Sequence, residues 1–374
     1  MVVPRARIPG RPVTLRRCIN VNAAVRVRKA RIMEPVVYVG VDVSCKTLDV
    51  AMCTDSVSEL TTTELGQFAN TPAGFKQLKC RLWKACGAQT TFHLILEPTG
   101  SYHLALVAFA NEQEWRVSLP NPQIVREWAK GQGQRAKSDR IDADLLTRFG
   151  AKEKPAPQEP LPPEVEELNE LLHRQDDLEK MLQQERNRLH SLKRRPRPSR
   201  PVIRSVKKSI QSLERALEEV KRTIKEHLRQ HPQLKHDYHL LLQVPGIGEK
   251  TALPILVFLH RWQCRTGGQG DAKGLVAFAG LDPVAQTSGT SVRKRPAISK
   301  MGDADIRRRL FLCAMGGMKA KDTPLTQFYR RLIGRHKPAM VALIASARKI
   351  LVWAFAVFTY QQPFDSELAS ARST

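Results

Sequence analysis

Two heptad arrays in the middle of the chain constrain its fold more than any other feature. Between residues 164 and 236, apolar side chains recur every seven positions, and a basic, proline-containing loop at residues 193–201 interrupts the pattern. Such a repeat is typical of coiled coils, and two such helices joined by a short loop pack against each other. The sequence therefore predicts an antiparallel coiled-coil hairpin over residues 164–236. Its seam residues are Leu168, Leu171, Gln175, Leu178, Leu182, Glu185, Leu189 and Leu192 in the first helix, and Ile203, Val206, Ile210, Leu213, Leu217, Val220 and Ile224 in the second.

The segment before the hairpin, residues 34–153, alternates between strand and helix patterns. Apolar, β-branched runs predict strands at residues 36–45, 47–54, 66–70, 90–96 and 115–119. Helical spacing of apolar residues predicts helices at 71–86, 101–114, 122–130 and 138–150. In the helix at 101–114, we expect Leu104, Val107 and Ala108 on the apolar face. The order of three strands, helix, strand, helix, strand and then two helices is that of a ribonuclease H core, so we predict an α/β ribonuclease-H-like (resolvase-like) N-terminal domain.

Composition marks the remaining boundaries. A proline-rich linker is predicted at residues 154–163 and a mainly α C-terminal domain at residues 237–360. This domain opens on Pro245-Gly246-Ile247-Gly248, the turn of a helix-hairpin-helix, whose glycines let backbone N–H groups approach a DNA phosphate. A helix–turn–helix that serves only for packing is the alternative. Residues 1–33 are expected to be a basic, disordered extension or to follow a start codon assigned too far upstream, and residues 361–374 to be a tail.

The charge balance indicates a polyanionic partner. The chain has 61 Lys and Arg residues against 36 Asp and Glu residues, a formal net charge of +25. The first 33 residues contribute nine of the cations and no acid, so the rest of the chain, with 52 cations against 36 acids, still carries +16. Such a field attracts nucleic acid. An anionic membrane is disfavoured because the basic residues are not gathered on one amphipathic helix.

Two further classes are disfavoured by what the sequence lacks. It has no run of about 18 apolar residues, so no membrane-spanning helix is expected. Its seven cysteines include no C-x-x-C pair, which fits reduced cytosolic thiols and not a zinc site or a disulfide framework.

Four carboxylates are the candidate catalytic and metal-ligating residues of the N-terminal domain. Asp42 interrupts the apolar first strand and Glu97 ends the fourth strand. Asp139 and Asp142 lie three residues apart near a helix start, on one face. The expected sheet order brings these places together at one edge of the sheet. Converging carboxylates repel unless cations neutralise them, and Mg²⁺ or Mn²⁺ prefers such oxygen ligands. Taken singly, each acid also has a structural explanation, such as an acidic pair favoured by a helix N-terminus.

A second candidate site lies in the C-terminal domain. Ser288-Gly289 occupies a polar loop within residues 277–300, and Arg293, Lys294, Arg295, Lys300 and Arg307 surround it in sequence. A serine that attacks a phosphodiester needs cations to stabilise the phosphorane and a route for its proton. Thr287, Ser291 and Ser299 compete with Ser288 as nucleophiles, and without context a loop Ser-Gly is an ordinary structural dipeptide. The predicted nucleic-acid-binding residues are Pro245, Gly246, Gly248, Arg293, Lys294, Lys300 and Arg307.

The order of these motifs resembles a known family. The segments G-V-D-V-S, K-x-L-D-V, L-E-P-T-G and K-S-D-R-I-D-A, followed downstream by P-G-I-G, A-G-L-x-P, S-G and I-S-K-x-G-D, are similar to motifs of DEDD transposases. The insertion-sequence family that they resemble is family one hundred and ten, in its subgroup eleven-eleven. The resemblance covers residues 36–356. The extension before Met33 departs from the family pattern, as does Ser138, where threonine is frequent.

The resemblance implies a mechanism and partners. Family members excise and insert an element through a circular intermediate, and a structured guide RNA, the bridge RNA, specifies target and donor DNA by base pairing. Carried over by position, Asp42, Glu97, Asp139 and Asp142 would bind the metal. Ser288 would be the nucleophile that forms a transient 5′-phosphoserine link to DNA. The two parts would meet across protomers of a homodimer or tetramer.

Two other functions remain open on the residues alone. A metal-dependent endonuclease of the Holliday-junction type would need only the four acids and would activate water instead of a serine. A non-catalytic nucleic-acid-binding protein would need only the net charge of +25 and the turn at residues 245–248.

Overall fold

The computed structural model of the chain describes residues 36–54, 61–87, 90–98, 100–133, 139–284, 287–288, 292–293 and 297–371. The predicted extension at residues 1–33, Ser138 and Lys294 lie outside these residues, as do the side chains of Asp139, Ser288 and Arg293. As predicted, a mixed α/β part precedes a mostly helical C-terminal part.

A five-stranded mixed sheet forms the centre of the N-terminal part. Its spatial order is β3 (Thr63–Ala69), β2 (Thr47–Thr54), β1 (Val36–Val43), β4 (Thr91–Leu96) and β5 (Arg116–Ser118). β1 pairs antiparallel with β2 and parallel with β4, and β4 pairs parallel with β5. The nearly continuous apolar sequence of β1 explains its central position, because a strand covered on both faces must be apolar on both.

Helices cover both faces of this sheet. They are α1 (Pro72–Cys86), α2 (Leu104–Glu112), α3 (Pro122–Gly131) and α4 (Asp139–Glu153). α1 and α2 pack on the face that buries Val39 and Leu94. α3 and α4 pack on the opposite face, which buries Tyr38 and Ile95. Strand residues therefore alternate between two cores, and each strand position faces a known pair of helices.

Two helices of 31 residues each form a hairpin where the heptad arrays predict one. They are α5 (Pro163–Lys193) and α6 (Arg200–Gln230). They run antiparallel, since Arg186 pairs with Glu214 and His227 contacts the Glu164 carbonyl oxygen near the base. Leu178, Leu182 and Leu217 form a separate small core in the distal half, whereas Leu168 and Ile224 belong to the C-terminal core.

The C-terminal part is built from helices around one core. They are α7 (Pro232–Leu241), α8 (Glu249–Thr266), α9 (Ala272–Phe278), α10 (Ala304–Gly317), α11 (Pro324–Gly334), α12 (Ala339–Tyr360) and α13 (Ser366–Ala371). Leu256 of α8 and Leu351 of α12 are fully buried in this core. α13 lies within the segment predicted to be a tail and buries Ala369 against the same core.

A nested β-hairpin connects α9 to α10. Its base pairs β6 (Pro283–Val284) with β9 (Ala297–Ile298), and its distal part pairs β7 (Thr287–Ser288) with β8 (Val292–Arg293). This segment was predicted to be a polar loop, because strands of two residues are too short to show an alternating pattern.

By its length and composition alone, α12 could cross a membrane. No membrane-spanning helix was expected from the sequence, because Arg348 and Lys349 interrupt the apolar run of this helix. In the structure the helix packs within the C-terminal core, where Ile350, Leu351 and Ala354 are fully buried. These contacts explain its apolar composition.

Candidate active site

The fold brings Asp42 and Glu97 to one edge of the sheet. In the parallel pairing of β1 and β4, Val41 lies opposite Leu96, so Asp42 and Glu97 come next in the same register. Asp42 follows Tyr38 by four residues and therefore faces α4, and by the same alternation Glu97 faces α4 as well. Both carboxylates are half-buried. The two acids thus share one face at the carboxyl ends of neighbouring strands.

α4 carries the other two predicted acids toward the same edge. A Cβ on Gly40 would lie 2.2 Å from the Ala143 carbonyl oxygen, and one on Gly150 would lie 3.3 Å from Tyr38 Cδ1. Residue numbers in α4 therefore rise as those in β1 fall. The N-terminal turn of α4, which contains Asp142 and begins at Asp139, lies accordingly toward the carboxyl end of β1.

Thr147 fixes the position of α4 along strands β1 and β2. Its buried Oγ1 accepts a hydrogen bond from the Gly40 N–H at 3.0 Å. The same oxygen lies 2.9 Å from the carbonyl oxygen of Ala143 and 3.1 Å from that of Ala51, to which its hydroxyl donates. One side chain thereby ties α4 to β1 and β2, and the acids on α4 are held at a set position relative to Asp42.

A fifth carboxylate, which the sequence analysis left unassigned, shares this face. Asp49 of β2 is the direct cross-strand partner of Asp42. Gln67 of β3 donates to Asp49 Oδ1 at 3.2 Å and to Oδ2 at 3.3 Å. Asp49 is a second polar interruption of an apolar strand, and that signal could have identified it. Across the edge, Arg126 of α3 lies 3.6 Å from Glu97 Oε1, so a cation also approaches the acids.

The backbone positions of the predicted acids converge at this edge, but those of their side chains that are described form no metal-binding cluster. Among the side chains that the structure describes, no three or more His, Cys, Asp or Glu residues lie close enough together to hold a metal ion. The Asp139 side chain falls outside that description. The donors nevertheless have the right chemistry, because carboxylate oxygens are the ligands that hard divalent cations prefer.

Ser288 lies at the distal end of the nested hairpin, where it pairs with Val292. The competing Ser299 sits at the base of the same hairpin. Its hydroxyl hydrogen-bonds the Asp282 carboxylate, and its N–H donates to the Asp282 carbonyl oxygen at 2.9 Å. Ser299 therefore has a structural contact that closes the hairpin base.

Comparison with known proteins identifies the family. A DEDD-type IS110 family model with the description "Transposase" matches residues 39–194, and a second, "Transposase IS116/IS110/IS902 family", matches residues 238–330. The pilin gene-inverting protein of Moraxella bovis is 30% identical over 335 residues, which are 88% of this chain and 98% of that protein. The chain belongs to the IS110 family of transposases.

Two further relatives agree with this placement of the transposase. The pilin gene-inverting protein of Moraxella lacunata has the same identity and coverage. An IS110 insertion-element protein of Streptomyces coelicolor is 33% identical over 122 residues, which are 32% of this chain and 28% of that protein. Membership in a family of DNA-rearranging enzymes makes DNA a partner of the transposase.

The glycines of the turn before α8 have different tasks in the transposase. Gly246 has φ +95°, and a Cβ there would lie 2.8 Å from the Cys313 carbonyl oxygen. This glycine lets α10 pack against the turn. Gly248 precedes α8 directly, and a Cβ there would have no atom within 4 Å. Of the two, only Gly248 faces open space, while the preceding Pro245 is half-buried.

The predicted phosphate-binding cations that the structure describes are also of two kinds. Arg307 donates from Nη1 to the carbonyl oxygens of Ala279 at 3.1 Å and Gly302 at 2.7 Å, so it braces the two turns that flank the nested hairpin. Lys300 is exposed, and its N–H donates to the Gly280 carbonyl oxygen at 3.2 Å. The Lys300 side chain is therefore the more accessible of the two.

The predicted linker of the transposase is docked along its length. The Gln158 N–H donates to the Val117 carbonyl oxygen at 2.7 Å, which extends the free edge of β5. The Glu159 N–H donates to the Cys264 carbonyl oxygen at 3.0 Å, which reaches the C-terminal part. A separate bridge runs from Asn121 Nδ2 to the Met301 carbonyl oxygen at 2.7 Å. The sheet and the C-terminal part are thus in direct contact within one chain.

A buried histidine anchors the linker to the sheet. His93 Nε2 lies 2.8 Å from Ser118 Oγ, and the Ser118 hydroxyl lies 2.9 Å from the Ala156 carbonyl oxygen. A carbonyl oxygen can only accept, so the Ser118 hydroxyl donates to Ala156 and His93 Nε2 is assigned as the donor to Ser118. Burial lowers the pKa of His93 to about 4, with a smaller contribution from the Arg116 charge. His93 is therefore neutral at physiological pH.

Proposed function

We propose that the chain is a DNA transposase and recombinase that excises and integrates an insertion sequence by metal-assisted strand cleavage and exchange through a phosphoserine intermediate. One observation carries the proposal: Asp42, Glu97 and the start of α4 converge at one edge of the sheet, in a chain that belongs to a transposase family. The sheet order is consistent with a ribonuclease-H-like fold, in which such an edge would hold the metal site.

The four predicted acids would hold Mg²⁺ or Mn²⁺. Asp42 stands directly opposite Asp49 in an antiparallel pair, and like charges placed so repel each other. A cation at this edge would remove that repulsion. When bound, the ion would neutralise charge at the scissile phosphate and help to position the strand. Arg126, which lies 3.6 Å from Glu97, would partly neutralise that one acid when no metal is bound.

Ser288 would carry the broken strand. Its oxygen forms a bond to phosphorus as its proton leaves, the P–O3′ bond breaks, and the departing 3′ oxygen takes up a proton. One phosphate ester bond, Ser Oγ–P, is formed for the P–O3′ ester bond that is broken. A 3′-hydroxyl of another strand can therefore attack the 5′-phosphoserine and reverse the step without an external energy source. Arg293, Lys294 and Lys300 lie close in sequence and would offset the phosphate charge.

A guide RNA and an oligomer complete the proposal. The motifs resemble the bridge-RNA-guided subgroup, and a net charge of +25 suits a protein that holds both RNA and DNA. In a homodimer or tetramer, the acids of one protomer would act together with Ser288 of another. Gly248, whose Cβ position is open, would let the N-terminus of α8 approach a phosphate. Strand cleavage and exchange would take place on DNA in a bacterial cytoplasm.

Suicide DNA substrates, which trap a covalent intermediate because the released strand diffuses away, test this function. We expect a protein–DNA adduct with the wild type and with the control Ser299→Ala, and none with Ser288→Ala or Asp42→Asn. A different result would establish a junction endonuclease that uses water: DNA is cleaved but no adduct forms, and the cleavage is retained in Ser288→Ala and lost in Asp42→Asn. If Asp42→Asn leaves every activity intact, the protein is not a metal-dependent enzyme of either kind.

A further inference from the structure

The two helices of the hairpin differ in charge. α6 contains nine Lys and Arg residues against four acids, whereas α5 contains five against eight. The loop between them, residues 194–199, adds three Arg residues and no acid. The positive charge of the hairpin is therefore concentrated on α6 and at the tip.

Four cations of α6 form a straight row on its outer side. Lys208, Arg215, Arg222 and Arg229 are spaced seven residues apart and lie at the heptad position farthest from α5. All four are exposed. At 1.5 Å of rise per residue, this α6 row is about 32 Å long, with a cation at intervals of about 10 Å.

An exposed coiled-coil face does not need such a row to stay solvated, as α5 shows. The equivalent outer positions of α5 are also exposed and hold Glu166, His173, Lys180 and Asn187. Lys180 pairs with Asp177 at 3.2 Å. In the α6 row, within the part of the chain that the structure describes, Arg229 alone has an acidic partner, Glu226 at 3.2 Å. The cations of the α6 row are thus largely uncompensated.

We propose that the α6 row binds the phosphodiester backbone of double-stranded nucleic acid. Its length of about 32 Å matches one turn of a B-form duplex, about 34 Å. Unpaired bases are usually held by stacking on aromatic rings, and neither α5 nor α6 contains a Phe, Trp or Tyr residue. Binding by this row follows charge and shape and is independent of sequence. A DNA duplex and an RNA helix offer the same chemistry, and the experiment separates them.

This inference uses the nucleic-acid partner of the family and none of the metal or serine chemistry. Absence of a covalent adduct with the wild-type protein would overturn the proposed function and leave the proposal for the α6 row untouched. Conversely, a row without a role in binding would leave the adduct in place.

Salt-dependent affinity of the full chain tests the α6 row. The probes are a 30-base-pair DNA duplex, a 30-base-pair RNA duplex and a 30-nucleotide single strand. Each phosphate contact contributes about 0.9 to the slope of log affinity against log salt on duplex DNA. We expect the quadruple variant Lys208→Gln, Arg215→Gln, Arg222→Gln and Arg229→Gln to lower that slope by about three to four on at least one duplex. The duplex affected identifies the source, and the single-strand slope should stay within about one of the wild type.

Two controls separate binding from folding. A charge-preserving quadruple variant, Lys208→Arg, Arg215→Lys, Arg222→Lys and Arg229→Lys, should keep the wild-type slope. Arg215→Gln alone should lower the slope by about one, whereas Lys180→Gln, at the outer position of α5, should not change it. A quadruple Gln variant with the wild-type melting temperature and an unchanged slope on both duplexes overturns the proposal. Equal losses on the duplex and single-stranded probes would overturn the preference for duplexes.

Discussion

The sheet edge and the nested hairpin hold the two halves of the proposed site in different ways. The acids of the sheet edge are positioned by five paired strands, by the close contact of Gly40 with α4 and by Thr147. Ser288 lies on strands of two residues, and the hairpin is closed at its base by Asp282 and Ser299. Metal ligands need positions fixed to a fraction of an ångström, whereas a residue that carries a strand between partners needs reach. One half is built into a core and the other is attached beside one.

The largest effect should follow from removing a carboxylate at the sheet edge. Asp42→Asn should slow strand cleavage by on the order of 10³-fold, since a neutral amide is a poor ligand for a divalent cation. DNA affinity should change little. The matched control is Asp144→Asn, an acid on α4 that pairs with Arg148 at 2.9 Å and hydrogen-bonds Thr62. Single-turnover cleavage of Asp42→Asn within tenfold of the wild type would contradict a catalytic edge.

The next effect tests whether the sheet half is held by its core. Gly40→Ala would place a methyl group 2.2 Å from the Ala143 carbonyl oxygen. Because that neighbour is backbone, we expect the free energy of unfolding to fall by about 3 kcal/mol. Gly316→Ala in α10, where no atom lies within 4 Å, is the control and should not destabilise the protein. Equal unfolding midpoints in urea for the two variants would show that α4 is not seated as described.

A pH effect of similar size should come from the linker anchor. Folding lowers the pKa of His93 to about 4, so the unfolded chain binds the proton more readily between pH 6.5 and 4. The stability due to neutral His93 is therefore fully present above pH 6.5 and is lost as the pH falls toward 4, by at most about 3 kcal/mol. The free energy of unfolding, measured with urea at several pH values in this range, should depend less steeply on pH for His93→Gln than for the wild type. Parallel curves would remove His93 as the cause.

The smallest effect concerns the bridge between the two regions. Asn121 caps α3 by accepting from the Gln123 N–H at 2.9 Å and also donates to the Met301 carbonyl oxygen. Asn121→Asp keeps the cap and removes the donor, so it should lower the free energy of unfolding by about 1 kcal/mol. Asn121→Ala loses both contacts and should cost about 2 kcal/mol. A fully stable Asn121→Asp variant would mean that the bridge to Met301 contributes nothing.

The sheet half was the more predictable from sequence. β2 has the predicted bounds, and α1, predicted at residues 71–86, spans Pro72–Cys86 with Thr71 as its cap, because β-branched runs and capping residues are local signals. The prediction of which face of α2 is buried was wrong: Leu104 is 46% exposed, while Leu106 and Ala110 are buried. The helix is apolar all round in sequence, so only the packing of its neighbours decides which side is covered.

Other features depended on contacts that no local pattern contains. The predicted linker proved to be docked, since the Gln158 N–H bonds an edge strand far from it in sequence. Arg307 was predicted to be a phosphate ligand because it lies near Ser288 in sequence. In the structure its Nη1 donates to two carbonyl oxygens that come close to it only in the folded chain. Gly246 and Gly248 look alike in the motif, and only the position of α10 shows that Gly246 is needed for packing.

Peptide mapping of the covalent adduct would identify the residue that carries the broken strand. Trypsin should release residues 274–293 as one peptide, which contains Thr287, Ser288 and Ser291, while Ser299 falls in a different peptide. After trapping on a suicide substrate and nuclease digestion, fragmentation of that peptide should place a nucleotide phosphate on Ser288. A phosphate on Thr287, Ser291 or Ser299, or cleaved DNA with no modified peptide, would contradict the two-part site proposed for this transposase.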